Sequence, residues 1–234
     1  MSSIVERLAV VRARIDAAAR SAGRDPSTVR LVAVSKTFPL ALVRDAYAAG
    51  QRDFGENRVQ EALEKIGESK DLPIHWHLLG HLQSNKARHA GAFAMIHSVD
   101  SLELLRRIEA SAAAADAHPE LLVQVDLAGE ATKFGVRPEA LLEILEAAAN
   151  LRSCRVVGLM TLPPIPENPE DARPWFRQLR EVRDTCLAQG VSQAMLRELS
   201  MGMSADFEVA VQEGATIVRV GTAIFGRRTR PRGA

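Results

Sequence analysis

Apolar positions along this chain recur with two alternating periods. Ile4, Leu8, Val11 and Ile15 follow at helical spacing behind the capping box Ser3-Ile4-Val5-Glu6, which predicts an opening helix to about Gly23. The period then shortens. Leu31-Val32-Ala33-Val34-Ser35 is a strand-length apolar run that ends on Lys36 and is closed by Pro39, so a buried strand over 31–35 is expected. Helix and strand signals then alternate: a helix from Pro39 to Gly50, a strand over 52–54, a helix capped by Asn57 and running to Gly67, and a strand over 75–79. A helix over 84–90 is stopped by Gly91, and a strand over 94–98 leads to a helix over 101–115 opened by Asp100 and Glu103 as a capping box. A strand over 121–126 precedes a helix from Pro138 to near Asn150. The strand over 155–160 passes through Pro163, Pro164, Pro166 and Pro169 to a long helix over 170–188. The last units are a strand over 195–199, a helix capped by Ser204 and ended by Gly214, and a strand over 216–220. Residues 227–234 are basic and irregular and read as a frayed tail.

Eight short strands separated by helices imply an α/β fold with parallel pairing through right-handed crossovers. A doubly wound open sheet satisfies the same pattern. A closed TIM (β/α)8 barrel with an extra N-terminal helix is favoured, because the strand count is eight and 234 residues without a composition break suit one domain of about 250 residues. One domain spanning 1–234 is therefore expected, with chemistry at the C-terminal ends of its strands.

Composition changes this picture little. Thirty basic residues against 29 acidic ones leave a formal charge of +1, so no net field favours nucleic acid or an anionic membrane. No apolar run approaches the ~20 residues of a membrane span and the N-terminus lacks a signal core, which predicts a cytoplasmic protein. Cys154 and Cys186 have no metal-ligand spacing and read as reduced thiols.

The expected strand ends carry the candidate chemistry. Alternation puts Lys36 on the face of Val32 and Val34, an amine at the end of a buried strand and suited to Schiff-base formation. The loops after strands seven and eight, Ser200-Met201-Gly202-Met203-Ser204 and Gly221-Thr222, pair glycines with hydroxyls before helix starts, where backbone N–H groups bind phosphate. Closure would set these loops beside Lys36. A lysine next to a phosphate pocket suits a phosphorylated aldehyde, and pyridoxal 5'-phosphate is the obvious candidate, held by an imine to Lys36 with its phosphate at Ser200, Gly221 and Thr222. Arg219, on the face of Ile217 and Gly221, would donate to the pyridine nitrogen and weaken the ring as an electron sink. His75 and His77 share a strand face, but with no acidic or cysteine partner evident nearby a metal site is not expected. Lys133-Phe134-Gly135 reads as a solvated turn, and Met160, Met201 and Met203 could wall the ring.

The segments LVAVSKTFP, DFGENRVQE, WHLLGHLQSNK, GLMTLPP, LSMGMSADFEVAV and VRVGTAIFG together resemble the pyridoxal-phosphate homeostasis protein family over almost the whole chain. That family is similar in fold to the N-terminal barrel of alanine racemase, and its members bind the cofactor without an established enzymatic activity. The resemblance implies that Lys36 is the Schiff-base lysine, that Ser200, Gly221 and Thr222 contact phosphate, that Arg219 partners the ring nitrogen and that Asn57 is a cofactor-side residue. It also exposes a difference. Alanine racemase uses a tyrosine as second acid/base, whereas the one tyrosine here, Tyr47, falls on the first crossover helix and is expected to pack outside the barrel.

Three functions compete. The favoured one is a non-catalytic pyridoxal phosphate carrier or buffer, a cytoplasmic monomer that delivers cofactor to apo-enzymes. The others are a pyridoxal-phosphate-dependent amino-acid racemase or decarboxylase with weak activity, and a Schiff-base aldolase acting on a sugar phosphate.

Overall fold

The computed structural model describes residues 3–129, 134–164 and 166–226. The tail 227–234 and Lys133 lie outside the described residues. Eight parallel strands close into a barrel in sequence order: β1 (Arg30–Val34), β2 (Asp53–Glu56), β3 (His75–Leu78), β4 (Met95–Val99), β5 (Glu120–Gln124), β6 (Arg155–Met160), β7 (Glu198–Ser200) and β8 (Ile217–Val220). The open-sheet alternative is therefore excluded, since β8 pairs with β1 in the register Val32 opposite Arg219 and Ala33 opposite Val220.

Strand alternation divides the core in two. Val32, Val34, Met95, Leu122, Val157, Met160 and Ile217 fill the barrel interior. Leu31, Ala33, Phe54, Leu121, Leu159 and Val218 face outward into the larger layer between sheet and helices. Helices α1 (Ile4–Ser21), α2 (Leu40–Ala48), α3 (Val59–Glu68), α4 (Leu102–Ala114), α5 (Leu141–Ala148), α6 (Arg173–Ala188), α7 (Phe207–Gln212) and α8 (Thr222–Phe225) supply that layer.

Among the described residues the helix after β8 is short: α8 has four residues, too few to cover the seam where β8 meets β1. α1 covers it instead. Its Ser3–Glu6 capping box forms as expected, and Leu8, Val11 and Ile15 are buried where α1 lies against α2, α7 and α8. Each such side chain contributes about 1.5–3 kcal/mol relative to exposure. Arg14 adds a two-pronged bond to Glu208 of α7, and Arg24 donates to the carbonyls of Val211 and Ala215.

Several expected boundaries move. β7 begins at Glu198, because Gln193–Met195 forms a 3-10 turn capped by Ser192. The segment Ser84–Ala92 is 3-10 rather than α, and Pro138–Ala140 and Pro169–Ala172 are 3-10 turns preceding α5 and α6. Ser101, not Asp100, caps α4, because the Asp100 carboxylate is taken by His81 at 3.0 Å. Asn57 does not cap α3: Arg58 holds that position, and the Asn57 carbonyl lies hard against Gly80, where a Cβ would approach it to 2.1 Å. Ser204 does not cap α7 either, for its hydroxyl is engaged across the barrel mouth.

Candidate functional site

At the C-terminal ends of the strands a cleft of about 400 Å³ opens, within the size range of small-molecule sites. Lys36, Asn57, Arg219, Gly221 and Thr222 all line it, as do Phe38, Leu79, Met203 and Ser204. Barrel closure makes this meeting possible, since Lys36 follows β1 and the glycine turn follows β8, its paired neighbour.

Lys36 sits in a strained, tightly held turn. Thr37 adopts φ +67°, a left-handed conformation costly for a β-branched residue, and its N–H donates to Glu61. On the other side of Lys36, the Ser35 carbonyl accepts from Lys65 Nζ at 2.8 Å and the Ser35 hydroxyl donates to Glu56 Oε1 at 2.6 Å. Lys65 also bonds Glu56 and Glu61, at 2.7 and 3.0 Å, so one nearly buried ammonium ties both carboxylates to the turn. Burial pushes the Glu56 carboxyl above the ordinary range even though Lys65 and Ser35 pull it down. Phe38 completes the clamp by stacking on Phe225 of α8, with ring centroids 5.2 Å apart.

Across the cleft the backbone N–H groups of Gly221 and Ala223 donate to the Ser204 hydroxyl oxygen at 3.1 and 3.4 Å. Long bonds to one neutral acceptor mark a cradle suited to a stronger, anionic oxygen. Glycine lets this turn lie close against β1, for a Cβ at 221 would press against the Val34 carbonyl at 3.3 Å.

Arg219 is 4% exposed yet reaches the cleft floor from inside the barrel. Nη2 donates to the Thr161 carbonyl at 2.9 Å and Nη1 to Ser200 Oγ at 2.5 Å. Burial lowers its pKa to about 10 although buried Asp206 offsets part of this, so the guanidinium is charged at neutral pH.

Ser200 is the one expected phosphate residue that the structure places elsewhere. Its hydroxyl is fully buried between Arg219 and His97, because β7 points it into the barrel; the hydroxyl that faces the cleft is that of Ser204. Of the three methionines only Met203 lines the cleft, with Met160 in the barrel interior and Met201 in the outer layer. Tyr47 packs outside the barrel with the Arg52 guanidinium 3.9 Å from its ring centre. His75 and His77 do share an acid, Asp53, which β2–β3 pairing brings to 3.4 and 3.1 Å. That acid is distant in sequence, and so was missed; among the described residues no group of three or more histidine, cysteine or carboxylate side chains is placed so that it could hold a metal ion. Phe134 stacks on His81 at 3.6 Å, which gives its loop a packed contact rather than a purely solvated one.

Residues 7–229 match the family model "Alanine racemase, N-terminal domain". The chain is 47% identical to the "Pyridoxal phosphate homeostasis protein" of Aquifex aeolicus, over 95% of this chain and 97% of the relative. It is 39% identical to the protein of that name from Escherichia coli K12, over 97% and 98%. The solved structure of PipY from Synechococcus elongatus PCC7942 with PLP bound superposes with a TM-score of 0.84 at 44% identity, over 96% of this chain and 100% of that one. Alanine racemase from Clostridium difficile 630 shares the fold at TM-score 0.72 and 16% identity, this chain spanning 58% of it. The closed barrel, the family model that matches residues 7–229, and 39–47% identity over nearly the full length of both chains make this chain a member of the pyridoxal phosphate homeostasis protein family, within the wider alanine racemase N-terminal domain group.

Proposed function

We propose that this chain binds pyridoxal 5'-phosphate in the cleft, as an imine on Lys36, and serves as an intracellular carrier or buffer of the cofactor rather than as an enzyme. The observation that carries this is the convergence of Lys36, the Gly221–Ala223 amides with Ser204 and Thr222, and Arg219 on one cleft of about 400 Å³. The cofactor supplies an aldehyde carbon that condenses with an amine, losing its oxygen as water, and a conjugated ring. Lys36 provides that amine from a clamped turn. Gly221, Thr222 and Ser204 hold the phosphate, Ser204 in the place first expected for Ser200. Arg219 faces the ring nitrogen and, being a donor without an acceptor, keeps it unprotonated. Asn57 stands at the cofactor's side. The PLP-bound PipY relative and the homeostasis proteins named above support this reading.

A racemase or decarboxylase needs a second acid/base opposite Lys36. Among the described residues lining the cleft there is no tyrosine, cysteine, histidine or carboxylate. Among the described residues no helix is long and apolar enough to cross a membrane. The proposed setting is a cytoplasmic, single-domain monomer handing cofactor to apo-enzymes, without membrane or nucleic acid. The test is spectroscopic. Protein loaded with pyridoxal phosphate should be yellow, borohydride should fix the adduct on Lys36, and Lys36→Ala should abolish both; an adduct on another side chain overturns the site. Exchange of amino-acid α-protons for deuterium above the rate of free cofactor would overturn the non-catalytic role.

A further inference from the structure

Below the cleft floor the barrel interior contains a line of polar side chains contributed by five strands, β2, β3, β4, β7 and β8. Arg219 Nη1 lies 2.5 Å from Ser200 Oγ, and Ser200 Oγ lies 2.8 Å from His97 Nδ1. His97 Nε2 lies 3.0 Å from His77 Nδ1, and His77 Nε2 lies 3.1 Å from Asp53 Oδ1. Ser200 and His97 are fully buried and His77 is 1% exposed. Asp53 and His77 reach a second cavity, of about 470 Å³, at the strands' N-terminal ends. The line thus spans the barrel from the cofactor mouth to its opposite end.

Donor and acceptor capacities allow one arrangement of protons along it. Arginine has only donors, so Ser200 Oγ accepts from Arg219. Burial alone would push Asp53 up, but the bond from His77, with Arg30 and His75 nearby, holds its carboxyl below the ordinary range; as a carboxylate it can only accept. His77 Nε2 therefore donates to Asp53. Burial lowers both histidines below their usual range, against the pull of Asp53 at His77 and furthest at His97, where the charge of Arg219 adds to it, so both are neutral. Neutral His77 then has a bare Nδ1 that accepts from His97 Nε2, and the bare Nδ1 of His97 takes the Ser200 hydroxyl proton. Each donor finds one acceptor, and all point the same way, from cation to carboxylate.

We propose that His97 and His77 are positioning residues for Arg219: this one-way line, anchored on Asp53, fixes the guanidinium against Ser200 and Thr161 and presents its remaining edge to the ring nitrogen of the bound cofactor. The role rests on the pyridoxal phosphate reading, while the line itself does not. Arginine has a long, flexible stem, and a buried network satisfied at every member sets it in one orientation.

Two measurements test this. In the unaltered protein without cofactor, nitrogen-15 spectra of the histidines should show His77 and His97 both protonated at Nε2 and bare at Nδ1. A proton on Nδ1 of either, or a charged ring, overturns the line. Affinities are then compared for pyridoxal phosphate and its carbocyclic analogue, which carries C–H in place of the ring nitrogen. His97→Leu should weaken pyridoxal phosphate about tenfold, the loss of one well-placed charged contact, and leave the analogue within about twofold of the unaltered protein. His97→Gln, whose amide offers one acceptor and one donor, should restore most of the affinity. Equal weakening for both compounds, or none for either, overturns the positioning role. If the unaltered protein binds neither compound, the function reading falls and this role with it, whereas the spectra still decide whether the line exists.

Discussion

Lys36 owes its place to side chains that carry no cofactor chemistry. Lys65 is the hub: it neutralises Glu56 and Glu61, which in turn engage Ser35 and the strained Thr37 on either side of Lys36. Breaking a buried ion pair from one side leaves an uncompensated charge. Lys65→Met should therefore cost about 3–5 kcal/mol in urea unfolding, and should weaken pyridoxal phosphate binding in parallel because the Thr37 conformation loses its support. A change under about 1 kcal/mol would show that the cluster is incidental. The thiols make a contrasting case. Burial and the neighbouring Glu109 carboxylate push the Cys154 thiol up to about 12, and burial raises Cys186, so both resist iodoacetamide near pH 8 in the folded state and react only after denaturation. Residue identity and strand alternation put Lys36, Arg219, Gly221 and Thr222 at the strand ends, and all four line the cleft. They could not separate Ser200 from Ser204, because two hydroxyls four positions apart differ only in where β7 stops and the loop turns outward.

Two features decide whether the secondary-structure elements fit together. α1 stands in for the helix that α8 is too short to provide, and Leu8, 1% exposed, is central to that contact. Leu8→Ala should cost about 2–5 kcal/mol by denaturant unfolding, far more than truncating the exposed Val5 or Val10 on the same helix. Gly158 on β6 shows how closely the strands approach, since a Cβ there would lie 2.0 Å from the Glu198 carbonyl of β7. Gly158→Ala should displace β7 and with it Ser200 and Arg219, and the expected outcome is lost stability together with lost cofactor binding, read by melting and by imine absorbance. Helices and strands were legible from periodicity and caps. The 3-10 segments were not, because whether a short crossover, or the turn that leads into a helix, tightens from α to 3-10 is set by how it packs on the layer rather than by local preference.

Across the whole molecule, four partly or largely buried carboxylates form two pairs with opposite responses to pH. Asp53 and Glu213 titrate below their ordinary range: burial opposes this, but His77 holds Asp53, and Arg173, Arg177 and Arg180 surround Glu213. Such groups contribute stability that is complete above the unfolded value of about 4 and is lost as pH falls through the folded one. Glu56 and Asp206, pushed up by burial, do the reverse, and their contribution fades as pH rises through their folded values. Asp53→Asn should accordingly lower stability at neutral pH and flatten the decline of the urea midpoint between about pH 5 and pH 2. An unchanged acid limb would refute the role given to Asp53. The sequence by itself determined the alternating α/β order, the strand count, the capped first helix and the positions of the lysine, arginine and glycine turn, since these follow from local periodicity and from residue chemistry. Only the tertiary structure decided that the sheet closes, which hydroxyl meets the cleft, and that Asp53, His77, His97 and Ser200 join Arg219 in one line. Those relations depend on which strands become neighbours and how far each is staggered, and pairings between residues tens to more than a hundred positions apart leave no trace in local pattern.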